Sequence, residues 1–146
     1  MPGVVVGVDG SGHSQRALEW AMNEAAVRHS PLTIVTVHQL VAGYSGRGVA
    51  FPGDPQQAEK AGEAAKQAAD KILEGLGESR PASVTVEAPS GFPVEELLKA
   101  AADADMIVLG SRGSGGFSHL LMGSVSSQVT HHAHCPVVIV PPENRH

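Results

Sequence analysis

The chain is short of several things, and each shortage removes a class of protein. One cysteine in 146 residues, Cys135, allows no internal disulfide, so packing alone must hold the fold, as suits the reducing cytoplasm. No apolar run nears the ~20 residues that span a bilayer; the longest, Met106–Leu109 and Pro136–Pro142, have strand length. The brief apolar stretch Val4–Val8 does not read as a signal peptide. Aromatic residues are only 3%, leaving the core to Val, Ile, Leu and Ala. Positive charge is scarce too. Ten Lys and Arg against fifteen Asp and Glu give a net charge of −5, the reverse of a nucleic-acid binder's basic face. No Lys occurs anywhere from Met106 to His146.

What is present alternates strand-length apolar runs with helical patterns. Val4–Val8 is a continuous run of the kind buried on both faces of a sheet. Ser14–Arg28 places Leu18, Ala21, Met22 and Ala25 on one helical stripe. Leu32–His38 predicts a second strand, and Ala42–Asp54, rich in Gly and Pro, a loop. Further helices are expected over Pro55–Leu76, from Pro93 to Ala101, and over Ser124–His132. Further strands are expected at Ser83–Glu87, Met106–Leu109 and Val137–Val140. With no internal repeat or dividing linker, residues 1–146 read as one domain. The βαβαβαβαβ order predicts an α/β fold: a doubly wound, five-stranded parallel sheet, Rossmann-like, with helices on both faces. Ligands of such sheets lie beyond the carboxyl ends of the strands, where strand order reverses.

The loop after the fourth strand is unusual. It reads Gly110-Ser111-Arg112-Gly113-Ser114-Gly115-Gly116, and Gly123-Ser124-Val125-Ser126 then opens a helix. Glycines let backbone approach a ligand closely, and successive N–H groups with a helix start form an anion cradle. The hydroxyls of Ser124 and Ser126 suit either a helix cap or a phosphate oxygen. A flexible connector accounts for one or two of these glycines, not for four followed by a distant Gly-Ser. Two common phosphate fingerprints are absent. A Walker loop requires the missing Lys, and the first turn, Gly7-Val8-Asp9-Gly10-Ser11-Gly12, is not GxGxxG.

The spacing G-x2-G-x9-G-S at Gly110, Gly113, Gly123 and Ser124 resembles the ATP-binding motif of the universal stress protein family. The resemblance extends to VVVGVDGS at Val4–Ser11, to LTIVTVH, to the core from Met106 to Val129 and to the closing HCPVVIV. It implies strand order 3-2-1-4-5 and a site for ATP or a related adenine nucleotide, with or without Mg²⁺. In that site Asp9 reaches the ribose or adenine region, and Val37 lines the adenine pocket. Gly110, Gly113, Gly123, Ser124 and Val125 hold the ribose and phosphates, and Gly7, Arg112 and Ser126 complete the set. Ser114 departs from the pattern, standing where many members carry a basic residue. Charge balance then rests on Arg112, His119, backbone donors and any Mg²⁺.

Read without the family, Asp9 is equally a turn cap, with Ser11 and Gly12 following it. His131, His134 and Cys135 have the spacing of one helical face, yet histidines also suit a helix carboxyl end, and no metal site is assigned. No catalytic residue is assigned either. Three functions compete: a nucleotide-binding sensor or regulator of the stress response, a slow ATPase or adenylate-transferring enzyme, and a nucleotide-free interaction module. Val137–Val140, apolar and placed at the sheet edge by the family's strand order, is expected to pair two copies as a homodimer. Neither a nucleic acid nor a membrane is an expected partner.

Overall fold

The computed structural model describes residues 2–39, 41–42, 50–51, 55–111 and 123–141. Its main sheet has five strands: β1 Val4–Gly7, β2 Pro31–Val35, β3 Ser83–Glu87, β4 Met106–Gly110 and β5 Val137–Val140. All pair in parallel, in the order β3-β2-β1-β4-β5. The helices are α1 Gly12–Arg28, α2 Pro55–Leu76, α3 Pro93–Ala100 and α4 Ser124–His132.

Side chains alternate across the sheet, and each face has its own core. Val4, Val6, Leu32, Ile34, Met106 and Val108 meet α1 and α2 on one face. Val5, Val35, Ile107 and Leu109 meet α3 and α4 on the other. Ala17, Ala21 and Ala25 let α1 lie close on the sheet, which is how a chain poor in aromatics still fills its interior. The second strand ends at Val35, earlier than the expected His38. Its partner β3 runs into Pro89, which has no N–H to extend the ladder. Pairing resumes only at His38–Gln39 with Ser90–Gly91, where the His38 N–H donates to the Pro89 carbonyl at 2.8 Å. Within the expected loop, Val41–Ala42 pairs antiparallel with Ala50–Phe51. Residues 43–49 and 52–54 lie outside the described residues.

Gly7 ends β1 against the α3–α4 core. A Cβ built there stands 2.9 Å from Cδ2 of both Leu97 and Leu109, and both leucines are buried. Gly7→Ala should therefore destabilise the fold by about 1–3 kcal/mol, the usual cost of an overpacked core. Chemical denaturation would measure it, and a variant as stable as the parent would show that the leucines shift without cost.

Candidate functional site

Chain order reverses about β1, with β2 on one side and β4 on the other, so the crevice of such a sheet opens at the carboxyl ends of β1 and β4. Register aligns what lies there. Gly7 pairs with Val35, so Asp9 and Val37 each stand two residues past a common rung. Val6 pairs with Val108, so Asp9 and Ser111 each stand three residues past another. Val37, Asp9 and the start of the glycine-rich loop thus form one row across three strands.

Asp9 shapes its own turn. Its Oδ1 accepts hydrogen bonds from the Ser11 N–H at 2.9 Å and the Ser11 hydroxyl at 2.6 Å. Ser14 Oγ accepts from the Asp9 N–H at 3.2 Å, and Ser11 Oγ caps α1 by accepting from the Ser14 N–H. Gly10, at φ +84°, gives the turn a left-handed step that side chains resist. The carboxylate is therefore held at the crevice by the serines that start α1.

The opposite wall is the start of α4. The Gly123 N–H donates to the Ser111 carbonyl at 2.6 Å, which pins the helix start against the end of β4. Ser126 is buried, and its hydroxyl donates to the carbonyls of Ser111 at 3.3 Å and Gly123 at 3.1 Å. This serine staples helix to strand rather than facing the crevice. Val125 packs, half-buried, against the α3–α4 core, as does Val37. Ser124 is exposed as the first residue of α4, and Gly110 is the last residue of β4. Arg112 and Gly113, like Ser114 and His119, lie outside the described residues.

Electrostatics distinguish α4 from its neighbours. α1 is capped by a serine side chain, and α3 carries Glu95 and Glu96 in its first turn. At α4 the cap is Gly123, with no side-chain cap bond and no acidic residue in the first turn. Its first intrahelical bond runs from Ser127 N–H to the Gly123 carbonyl. The N–H groups of Ser124, Val125 and Ser126 thus have no acceptor within the helix. A helix start in that state attracts an anion through both donors and dipole.

Sequence reasoning passes over Ser111. It is 5% exposed, and its hydroxyl has no hydrogen-bond partner among the described residues. A hydroxyl within a run of glycines is the one signal the sequence offers for it. The described residues contain no group of three or more His, Cys, Asp or Glu placed to hold a metal ion. Cys135 is half-buried behind β5, and burial raises its thiol above the ordinary 9.0, a backbone hydrogen bond at Ile107 opposing this in part. The neutral thiol's contribution to stability is then whole below pH 9 and lost as pH rises through the higher folded value. Native Cys135 should react with iodoacetamide at pH 8 more slowly than the same residue in unfolded chain; equal rates would count against its burial.

A doubly wound α/β sheet of this strand order belongs to the class of architectures whose ligand crevice opens at the switch point. More specifically, the chain belongs to the universal stress protein family, whose sequence pattern matches residues 2–141. It is 34% identical to a universal stress protein of Mycolicibacterium smegmatis over 145 residues, covering 94% of this chain and 47% of that protein. It is 37% identical to one from Mycobacterium tuberculosis strain H37Rv, covering 98% of this chain and 49% of the relative. The chain therefore spans about half the length of these relatives. Among solved structures, it resembles a universal stress protein in complex with cAMP at 27% identity and TM-score 0.70, over 97% of this chain and 98% of the other. No helix among the described residues is long and apolar enough to cross a membrane.

Proposed function

We propose that this protein binds ATP or a related adenine nucleotide in the crevice between the Asp9 turn and α4. In this reading it acts as a cytoplasmic sensor or regulator in the stress response, turning the nucleotide over slowly if at all. The observation that carries the reading is the open start of α4, where three N–H groups lack an acceptor in the helix and no acidic residue stands nearby in the first turn, pinned to the end of β4 beside Gly110. The solved relative holding cAMP supports adenine as the base. Phosphates rest on Gly110, Gly113, Gly123, Ser124 and the α4 N–H groups, with Arg112 adding charge. Val37 faces the base and Asp9 the ribose. Any Mg²⁺ would add positive charge where the phosphates gather.

Hydrolysis needs a positioned base and a cation that stabilises the transferring phosphoryl group. The motif supplies no Lys, and Asp9 already anchors its own turn, so chemistry is the weaker function. A homodimer through β5 and indifference to nucleic acid complete the proposal. Mass spectrometry of denatured, freshly purified protein should release an adenine nucleotide. Incubation with ATP should then show turnover well below the ~1 per second at which ordinary enzymes begin. Turnover in the ordinary enzymatic range would make the protein an ATPase. Folded protein that neither carries nor takes up nucleotide would make it an interaction module.

A further inference from the structure

The carboxyl edge of the sheet extends one strand past Ser111 and the start of α4. Val37 follows β2, Asp9 follows β1, Gly110 ends β4 and Pro141 follows β5. Gly110 pairs with Val140, and the Ser111 N–H donates to the Val140 carbonyl at 3.0 Å. Pro141 is therefore level with Ser111, ~5 Å away across the sheet. Arg16 comes over this corner from α1. Its Nε donates to the Pro141 carbonyl at 3.0 Å, which fixes the guanidinium at the end of β5.

Little within the chain balances this cation. Arg16 is half-buried, and its Nε gives one of five guanidinium donors to an uncharged carbonyl. Arg28 pairs with Glu24 and Lys99 with Glu96, whereas Arg16 pairs with no carboxylate among the described residues. It stands one turn past Gly12, the first residue of α1, and the first turn holds no acidic residue. That end of a helix disfavours a cation. A guanidinium so placed gains most from an anion that comes from outside.

We infer that Arg16 binds the terminal phosphates of a nucleoside triphosphate and so makes the crevice prefer ATP to AMP or cyclic AMP. The inference rests on the reading of the crevice as an adenine-nucleotide site and adds to it a choice among such nucleotides. Strands β2, β1, β4 and β5 stand side by side. Base, ribose, first phosphate and further phosphates follow in the same order along the nucleotide. With the base at Val37 and the ribose at Asp9, a single phosphate ends over β4, beside the open start of α4. A longer phosphate chain continues ~5 Å to β5, where the guanidinium has further N–H donors. α1 and α4 cover opposite faces of the sheet, so Arg16 and the α4 N–H groups flank the end of β4 from its two sides. No Lys stands between Met106 and His146, and Arg16 brings positive charge there from a helix distant in sequence.

Calorimetry on the nucleotide-stripped full chain compares ATP, AMP and cyclic AMP in the parent, Arg16→Gln and Arg16→Lys. The parent should bind ATP at least about tenfold more tightly than AMP, the difference that one charge-assisted contact makes. Arg16→Gln should lose most of that preference by weakening ATP alone, with AMP and cyclic AMP bound as in the parent. Arg16→Lys, which keeps the charge without the paired donors, should fall between the two. Raising the salt should narrow the gap between the parent and Arg16→Gln. Equal weakening of all three ligands would make Arg16 a tie between α1 and the end of β5 and overturn the inference. ATP affinity unchanged in Arg16→Gln would overturn it too. Both results leave the crevice a nucleotide site. If Arg16→Gln fails to fold, the parent and Arg16→Lys still decide: an ATP preference absent from the parent, or undiminished in Arg16→Lys, overturns the inference. No saturable binding of any of the three to the folded parent would overturn it together with the reading beneath it.

Discussion

Gly123→Val should fold like the parent and bind ATP at least tenfold more weakly. The backbone at Gly123, φ −73° and ψ 161°, is extended and open to any residue, so a side chain there meets no conformational barrier. A poorer cap residue costs the helix only about 1 kcal/mol. A ligand is affected far more. The new side chain occupies the approach to the open α4 N–H groups, and each charge-assisted hydrogen bond it displaces is worth on the order of 1.5–3 kcal/mol. Since 1.4 kcal/mol is tenfold in affinity, the fall should exceed that even for one such bond. Adenosine, which has no phosphate, should bind the variant nearly as it binds the parent. Calorimetry with both ligands makes the comparison, and equal ATP affinity in folded Gly123→Val would remove the phosphates from α4.

Ile139→Pro should separate the two copies. Ile107 N–H donates to the Pro136 carbonyl and Ser111 N–H to the Val140 carbonyl, so residues 136 and 140 direct their backbone groups at β4. Residues between them alternate, and Val137 and Ile139 turn theirs to the free edge. Proline at 139 removes an outward donor and leaves the bonds to β4. In a two-fold pairing the loss occurs twice, at about 1 kcal/mol each; with the ring's bulk in the ladder, the dimer should weaken by roughly thirty- to a hundredfold. The Ile139 side chain also packs in the α3–α4 core, so Ile139→Val, which keeps the N–H, is the control. Light scattering showing both variants as dimeric as the parent would place the interface elsewhere.

Much of this architecture is legible in the residues. Periodicity and caps place α2, α4, β3 and β5 at the bounds observed, because each is flanked by a turn, a proline or a glycine that fixes its end. The second strand reads too long from its own residues because its terminator, Pro89, follows a different strand. The glycines divide along similar lines. The spacing of Gly110 and Gly123 marks a loop and a helix start without any structure in hand. The packing of Gly7 against Leu97 and Leu109 depends on two elements roughly 90 and 100 residues away in sequence, which no local pattern encodes. Ser126 looks like a ligand group among its neighbours. Its place three residues before buried Val129 puts it on the inner face of α4, where its hydroxyl holds the helix to β4 instead. Asp9 has two readings in sequence: its bonds to Ser11 show that it forms the turn, and its contact with the ribose belongs to the proposal.

The central claim is that phosphates of an adenine nucleotide meet the start of α4. Titration of the nucleotide-stripped parent with ATP, AMP and adenosine tests it most directly. Saturable binding of one ATP per chain is expected, with weaker binding of adenosine and a gap between the two that narrows as salt is raised. Equal affinities for ATP and adenosine at low and high salt, or no saturable binding of either to folded protein, would contradict it.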